Sequence, residues 1–250
     1  MSQAKDPIIL AIETATRAGG VSLTRGANVL ASRTGDAQSS HSTDLLENID
    51  HVLREARVDL KSIDLFAAAV GPGSFTGLRI GLATTKSLAV ALHRKCAGVS
   101  TLAAIAYQAG QSERTVALLP AGRGELFAQM FSVVADKVTP LDGAKHLSPD
   151  QLIAKFGGYR RVCWVGEGAQ VQVNTLKAEA SARSARFSIG GSFSSEGTEA
   201  HWIVTPPAEN VANAVAQLAL QQGRSGALVS PESLQANYVR PSDAEIKSKS

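Results

Sequence analysis

Cysteine is scarce in this 250-residue chain: Cys96 and Cys163 stand far apart and belong to no CxxC pair. That excludes a disulfide framework and a thiolate zinc site, and each thiol, set among apolar neighbours, reads as buried and reduced. Long apolar runs are missing as well. Met1–Pro7 is polar, and the apolar stretch Ile8–Ile12 stops at Glu13, too short for a signal peptide or a membrane span. A cytoplasmic protein without a membrane partner is expected. Charge of one sign is also lacking: 25 Lys and Arg face 22 Asp and Glu, for a net charge of +3. Residues 1–105 carry 11 against 9 and the remainder 14 against 13, so neither half is a basic domain. Tight unaided nucleic-acid binding needs many phosphate contacts and is not expected, although a local basic patch stays open. With 44% hydrophobic and 19% charged residues, the chain is an ordinary globular one.

Familiar catalytic motifs are absent too. His41, His51, His93, His146 and His201 never fall at HxxxH or HExxH spacing, so no metal site is expected. A GxGxxG loop would need glycine where Thr76 stands. A Walker loop would need lysine after Gly77, where Leu78 follows. A GxSxG nucleophile elbow would need glycine at Pro72 and Thr76. Ser74 has no base identifiable in the sequence, and no catalytic residue is assigned.

What is present is an alternation of short apolar runs and helical patterns. Ile8–Ile12 reads as a buried strand, Val21–Leu23 and Val29–Ser32 as two more joined at Arg25-Gly26. Leu45, Leu46, Ile49, Val52, Leu53 and Ala56 recur at helical spacing behind Ser42 or Thr43 as a cap. Leu65–Val70 reads as a strand, 78–93 as a helix, Cys96–Val99 as a strand and 101–107 as a helix. Further on, Val116–Leu119 and Glu125–Val134 read as strands around a turn at Ala121–Gly124. Ser148-Pro149-Asp150 starts a helix, and Arg161–Val165 is a strand. Gly190–Glu199 reads as a loop, and Pro206-Pro207 as the opening of a helix to Gln222. The pattern predicts an α/β fold with mixed sheets. The expected division is a first lobe at 1–105, a second at 106–240 whose helix 207–222 packs back on the first, and a disordered tail at 241–250.

The Gly71–Gly81 stretch is the most informative. Its glycines flank Ser74 and Thr76 at a strand-to-helix turn. Such a turn can aim N–H groups and a helix dipole at an anion, or it can simply permit sharp turning and close packing. Glu13 and Thr14–Thr16, just after the first strand, can approach a ligand there or satisfy their own backbone. The anion or nucleotide candidates are therefore Glu13, Thr14, Gly71, Gly73, Ser74, Thr76 and Gly77. The following helix projects with Leu78, Leu82, Leu88, Ala89 and Leu92 on one side and Ile80, Ala83, Val90 and Ala91 nearly opposite; Arg79, Lys86 and His93 lie between. A helix apolar on two faces needs two apolar neighbours: the chain's own sheet, and either the Leu45–Ala56 helix or another subunit.

Several strings resemble a known family in the same order: ILAIETAT at 9–16, HSTDLL at 41–46, GPGSFTGLRIG at 71–81, GVSTL at 98–102 and NYVRP at 237–241. They are similar to the bacterial TsaB (YeaZ) family, closely over the first ~105 residues. The resemblance implies an actin-like ASKHA fold of two RNase H-like lobes with mixed sheets flanked by helices. It implies a non-catalytic role in forming N6-threonylcarbamoyladenosine at position 37 of ANN-decoding tRNAs. The catalytic subunit would be the paralogue TsaD, a heterodimer partner; the ATPase TsaE would join with nucleotide, and tRNA would be met through TsaD. In isolation a homodimer is implied. The implied partner face is Leu45, Ile49, Val52, Ile80, Ala83, Lys86 and Val90. No cofactor is expected as a requirement, and weak ATP or ADP binding is expected mainly in the complex. TsaD-like proteins hold a metal with an HxxxH pair; here His41 stands alone and Leu45 replaces the second ligand. Pro120 and Gly122 stand where the family has polar residues, and Glu13 where many members have aspartate, which weakens a nucleotide cleft further. The competing class is an independent enzyme, either an ASKHA-type nucleotide hydrolase or a peptidase.

Overall fold

The structure is a computed structural model, described at residues 6–36, 41–193, 198–207 and 209–239. The chain forms two compact units. Unit 1 comprises Met1–Ala104 and Glu209–Asn237, and unit 2 comprises Ile105–Ala208 and Tyr238–Ser250. The expected second lobe is thus interrupted, because the chain returns to unit 1 after residue 208. The expected disordered tail, 241–250, lies outside the described residues.

Unit 1 is built on β1 (Ile8–Glu13), β2 (Gly20–Arg25), β3 (Asn28–Thr34), β4 (Leu65–Gly71) and β5 (Lys95–Ser100), in the order β3-β2-β1-β4-β5. β1 is antiparallel to β2 and parallel to β4, which makes the sheet mixed. As a central strand β1 is buried throughout. This is why its sequence runs apolar without alternation until Glu13. Ile8, Leu10 and Ile12 share a core with Leu45, Ile49 and Val52 of α1 (His41–Ala56) and Leu82 and Ala89 of α2 (Phe75–Ala91). Ile9 and Ala11 face the opposite side of the sheet. α7 (Val211–Arg224) packs on β1, β2, β4 and β5 through small residues such as Ala212, Ala216 and Ala219.

That last helix begins later than Pro206-Pro207 suggested. Asn210 is its cap: Oδ1 accepts from Ala212 N–H at 2.9 Å while Nδ2 donates to the Val21 carbonyl at 3.3 Å. Proline has no side-chain acceptor for the first orphan N–H groups, so the asparagine sets the start.

After α7 the chain runs back along β5. Val229 and Cys96 exchange backbone hydrogen bonds of 2.9 Å, Leu234 enters the core, and Asn237 N–H donates to the Val70 carbonyl at 2.7 Å. Under this segment the Cys96 thiol is fully buried. Burial first, and then the nearby Glu232 carboxylate, push it up from 9.0 to about 11. A raised thiol keeps its full contribution below pH 9 and loses it as the pH climbs to about 11. Wild-type unfolding free energy is therefore expected to fall by on the order of 2 kcal/mol more than that of Cys96→Ala across this window. Parallel stability curves from urea titrations at stepped pH would refute the assignment.

Unit 2 contains β6 (Ser112–Gly122), β7 (Glu125–Val134), β8 (Lys137–Pro140), β9 (Lys145–Leu147), β10 (Arg161–Val165), β11 (Arg186–Ile189) and β12 (His201–Thr205). The order is β11-β12-β10-β6-β7-β8, with β9 also paired to β7. β11, β12, β10 and β6 pair in parallel, whereas β7 is antiparallel to its neighbours. The tight turn before β7 gives that strand the bounds read from the sequence. By contrast β8, β9, β11, β12 and the helices α5 (Glu167–Val171) and α6 (Val173–Ala182) had no clear signature. α4 (Pro149–Phe156) opens on a full capping box between Ser148 and Gln151. The core joins Leu152, Phe156 and Leu176 to Trp164 and Trp202, whose rings lie 5.1 Å apart. α3 (Thr101–Gln108) spans the boundary in sequence. Among the described residues no helix is long and apolar enough to cross a membrane.

Candidate functional site

Because β1 and β4 are parallel neighbours, their carboxyl ends lie at one edge of the sheet, and α2 starts there. The turn between them is held by its own backbone. The Gly71-Pro72 peptide is cis. Ser74 N–H donates to the Ala15 carbonyl at 2.8 Å. Ser74 Oγ caps α2 by accepting from Gly77 N–H at 3.2 Å. Thr14 Oγ1 donates to the Gly77 carbonyl at 2.7 Å. One oxygen of the buried Glu13 carboxylate accepts from Ala15 N–H at 2.5 Å and Thr16 N–H at 2.8 Å, and the other from the Thr16 hydroxyl at 2.5 Å.

The glycines follow from this contact. A Cβ at Gly73 would overlap the Ala15 carbonyl oxygen, and one at Gly81 would overlap Thr14 Oγ1. One at Gly71 would stand 2.7 Å from the Asn237 carbonyl oxygen. Every expected anion-site residue except the exposed Thr76 is thus engaged in closing the turn against its neighbours. The space beside Glu13, Asp44 and Asn48 amounts to about 10 Å³, near the size of a single water. Of the two readings of the turn, tight packing accounts for these contacts within unit 1. Ala15, Thr16 and Asn237 complete the arrangement; all three lie within the family strings, but nothing in the sequence showed that they meet at this turn. The first two act through backbone or a short hydroxyl, and the third arrives from far along the chain.

The second feature is the outer face of α2. Gly77, Leu78, Gly81, Leu82, Thr85 and Ala89 are buried. Ala83, Ser87 and Val90, at i, i+4 and i+7, are exposed, Val90 at 52%. Ile80 and Lys86 are half-buried on its flanks. On α1, Leu46 is exposed at 65%. The α1 residues expected to face a partner are elsewhere. Leu45, Ile49 and Val52 are buried in the core of unit 1, because α1 needs an apolar stripe of its own to sit on β2 and β3. Their regular i, i+4, i+7 spacing was the signal of that core role, and Leu46, off the stripe, is the apolar residue left outside. Among the described residues no group of three or more His, Cys, Asp or Glu side chains could hold one metal ion. Leu45, at the second position of the HxxxH pattern, is a core residue.

Two mixed sheets flanked by helices, with the last helix folded back on the first sheet, define an α/β protein. A solved structure of (R)-2-hydroxyglutaryl-CoA dehydratase component A from Acidaminococcus fermentans shares this fold. Its TM-score is 0.52 at 11% identity, over 87% of this chain and 99% of that one. A crystal structure of an uncharacterized protein with similarity to peptidase YEAZ from Pseudomonas aeruginosa superposes better, with a TM-score of 0.74 at 22% identity over 94% and 100% of the two chains. In sequence, the tRNA threonylcarbamoyladenosine biosynthesis protein TsaB of Haemophilus influenzae is 33% identical over 134 residues, 52% of this chain and 55% of that one. The match thus spans about half the length of the curated relatives. A family model described as TsaD, tRNA N6-adenosine threonylcarbamoyltransferase, matches residues 27–225, and the chain belongs to this family.

Proposed function

We propose that this chain is a non-catalytic subunit of the machinery that forms N6-threonylcarbamoyladenosine at position 37 of ANN-decoding tRNAs, and that it binds a TsaD-type catalytic subunit through the outer face of α2. The observation that carries this reading is the exposed stripe Ala83, Ser87 and Val90, a small-residue apolar surface on a helix whose other face is already buried. Small residues let a second helix approach closely. The closed glycine turn supports a role without chemistry of its own. A ligand at Gly71–Gly77 would have to displace the Ser74–Ala15 and Thr14–Gly77 hydrogen bonds. Weak ATP or ADP binding then belongs to the complex, no cofactor is required, and a TsaE-type ATPase joins with nucleotide. In the absence of the catalytic subunit the same face pairs two copies of this chain, in the cytoplasm, with tRNA reached through TsaD.

Size-exclusion chromatography with light scattering tests this on the full chain, alone and mixed with its cognate TsaD-type protein. A one-to-one complex that replaces a homodimer is the expected result. Separate elution of the two proteins, with and without ATP, would return the case to an independent enzyme.

A further inference from the structure

Unit 2 contains a cavity of about 250 Å³ at the start of β6, with Gln111, Ser112, Arg114, Val133, Arg161 and Phe193 on its walls. Its two arginines, Arg114 and Arg161, come from distant parts of the sequence. β10, β12 and β11 pair in register, so Arg161, His201 and Arg186 stand side by side on adjacent strands. Arg114 joins them from β6, where the pairing with β7 is irregular between Ser112 and Thr115. At that irregularity Ser112 Oγ donates to the Arg114 carbonyl at 3.1 Å and accepts from Arg114 N–H at 3.2 Å. Bulged pairing of this kind re-aims a side chain.

Both guanidiniums lie over aromatic rings. Arg114 is 5.3 Å from the Tyr159 ring centre and Arg161 is 4.8 Å from that of Phe193. Phe193 meets the His201 ring edge-on at 5.6 Å. Burial and the Arg186 and Arg161 charges hold His201 below its ordinary range, against a smaller opposing pull from Glu199. The carboxylate on the cavity wall, Glu113, stands 3.8 Å from Arg114 with its side chain 88% exposed, so it offsets that charge weakly.

We propose that this cavity binds a nucleotide, with the phosphate on Arg114 and Arg161 and the base stacked within the aromatic and guanidinium planes that line it. A guanidinium presents paired N–H donors that match phosphate oxygens, and an aromatic ring accepts any base by its face. The volume lies just below the roughly 300–1,000 Å³ of typical small-molecule sites, which suits one nucleotide unit rather than a dinucleotide. A free mononucleotide and one exposed nucleotide of an RNA strand present the same phosphate and base. The near-neutral balance of the chain is no obstacle, because the cations are concentrated by strand register and not by sequence. All of these residues lie in unit 2, so nucleotide binding and assembly through α2 can fail independently.

The test uses the full chain alone. AMP is titrated by calorimetry, and a fluorescein-labelled single-stranded hexaribonucleotide by anisotropy, at two salt concentrations. Wild-type protein is expected to bind at least one of them. Arg114→Ala and Arg161→Ala should each weaken binding by about fivefold or more and lower the RNA salt slope by about one. Phe193→Ala should weaken binding with the slope unchanged. Displacement of the RNA by AMP identifies the mononucleotide as sufficient; RNA binding that AMP does not disturb identifies the strand as the source. Arg114→Lys and Arg161→Lys, which keep the charge but lose the fork, serve if the alanine variants fail to fold, and are expected to weaken binding too. Wild-type protein that binds neither ligand, or folded arginine variants that bind as wild type does, would overturn the proposal.

Discussion

Val90→Glu is expected to leave this chain folded and to abolish the proposed complex with a TsaD-type subunit. Val90 is half-exposed near the end of α2, so glutamate there meets water in the free protein and changes stability by about 0.5 kcal/mol or less. In a helix–helix seam the same carboxylate would be buried without a partner, at roughly 3–5 kcal/mol. That corresponds to a dissociation constant raised by about two to three and a half orders of magnitude. Ala83→Arg, two turns away on the same exposed stripe, should act alike and adds bulk to charge. The contrast is Val52→Glu on α1. Its side chain is fully buried in the core of unit 1, so this variant should fail to fold rather than fail to assemble. Circular dichroism and thermal melting separate the two outcomes, and titration calorimetry with the partner reads the affinity. A folded Val90→Glu protein that binds its partner at wild-type strength would remove α2 from the interface.

Gly73→Ala should destabilise unit 1 by about 2–4 kcal/mol, which is large for a single methyl group. The added Cβ has no space: it meets the carbonyl oxygen of Ala15 and stands 2.7 Å from the Ala15 Cβ. Backbone on both sides prevents a side chain from simply swinging away. The loop after β1 must therefore part from the turn before α2, and the 2.8 Å hydrogen bond from Ser74 N–H to Ala15 breaks with it. Local overpacking costs on the order of 1–3 kcal/mol, and the lost hydrogen bond adds about 1 kcal/mol. Melting should fall by about 5–15 °C, at 2–4 °C per kcal/mol for a chain of this size. Ser74→Ala, which removes the helix cap alone, should cost about 1 kcal/mol. If Gly73→Ala melts within about 1 °C of wild type, the contact between the two turns does not hold this edge of the sheet together, and the anion reading of the glycines regains its place.

Much of this protein was determined by local sequence. A central strand needs an unbroken apolar run, and Ile8–Ile12 has one. A hairpin strand after a tight turn has sharp ends, and Glu125–Val134 has the bounds its pattern predicts. Ser148-Pro149 specifies where a helix begins, because caps are decided within a few residues, whereas the helix after the glycine turn starts at Phe75 behind the Ser74 cap, three residues before the apolar pattern at Leu78 suggested. The family resemblance rests on these same local strings.

Tertiary structure decided the rest, for reasons of distance. Whether Leu45, Ile49 and Val52 face a sheet or a partner depends on which side of α1 meets β2 and β3, and periodicity names a stripe without naming its neighbour. Whether glycines receive a ligand or a carbonyl depends on what lies opposite. Opposite Gly73 lies Ala15, and opposite Gly71 lies Asn237, more than 160 residues downstream. Asn210 tied α7 to β2 through a hydrogen bond to Val21, so a helix late in the chain completed the first unit. The row Arg161, His201 and Arg186 exists because three short strands pair in register, a relation no single segment encodes.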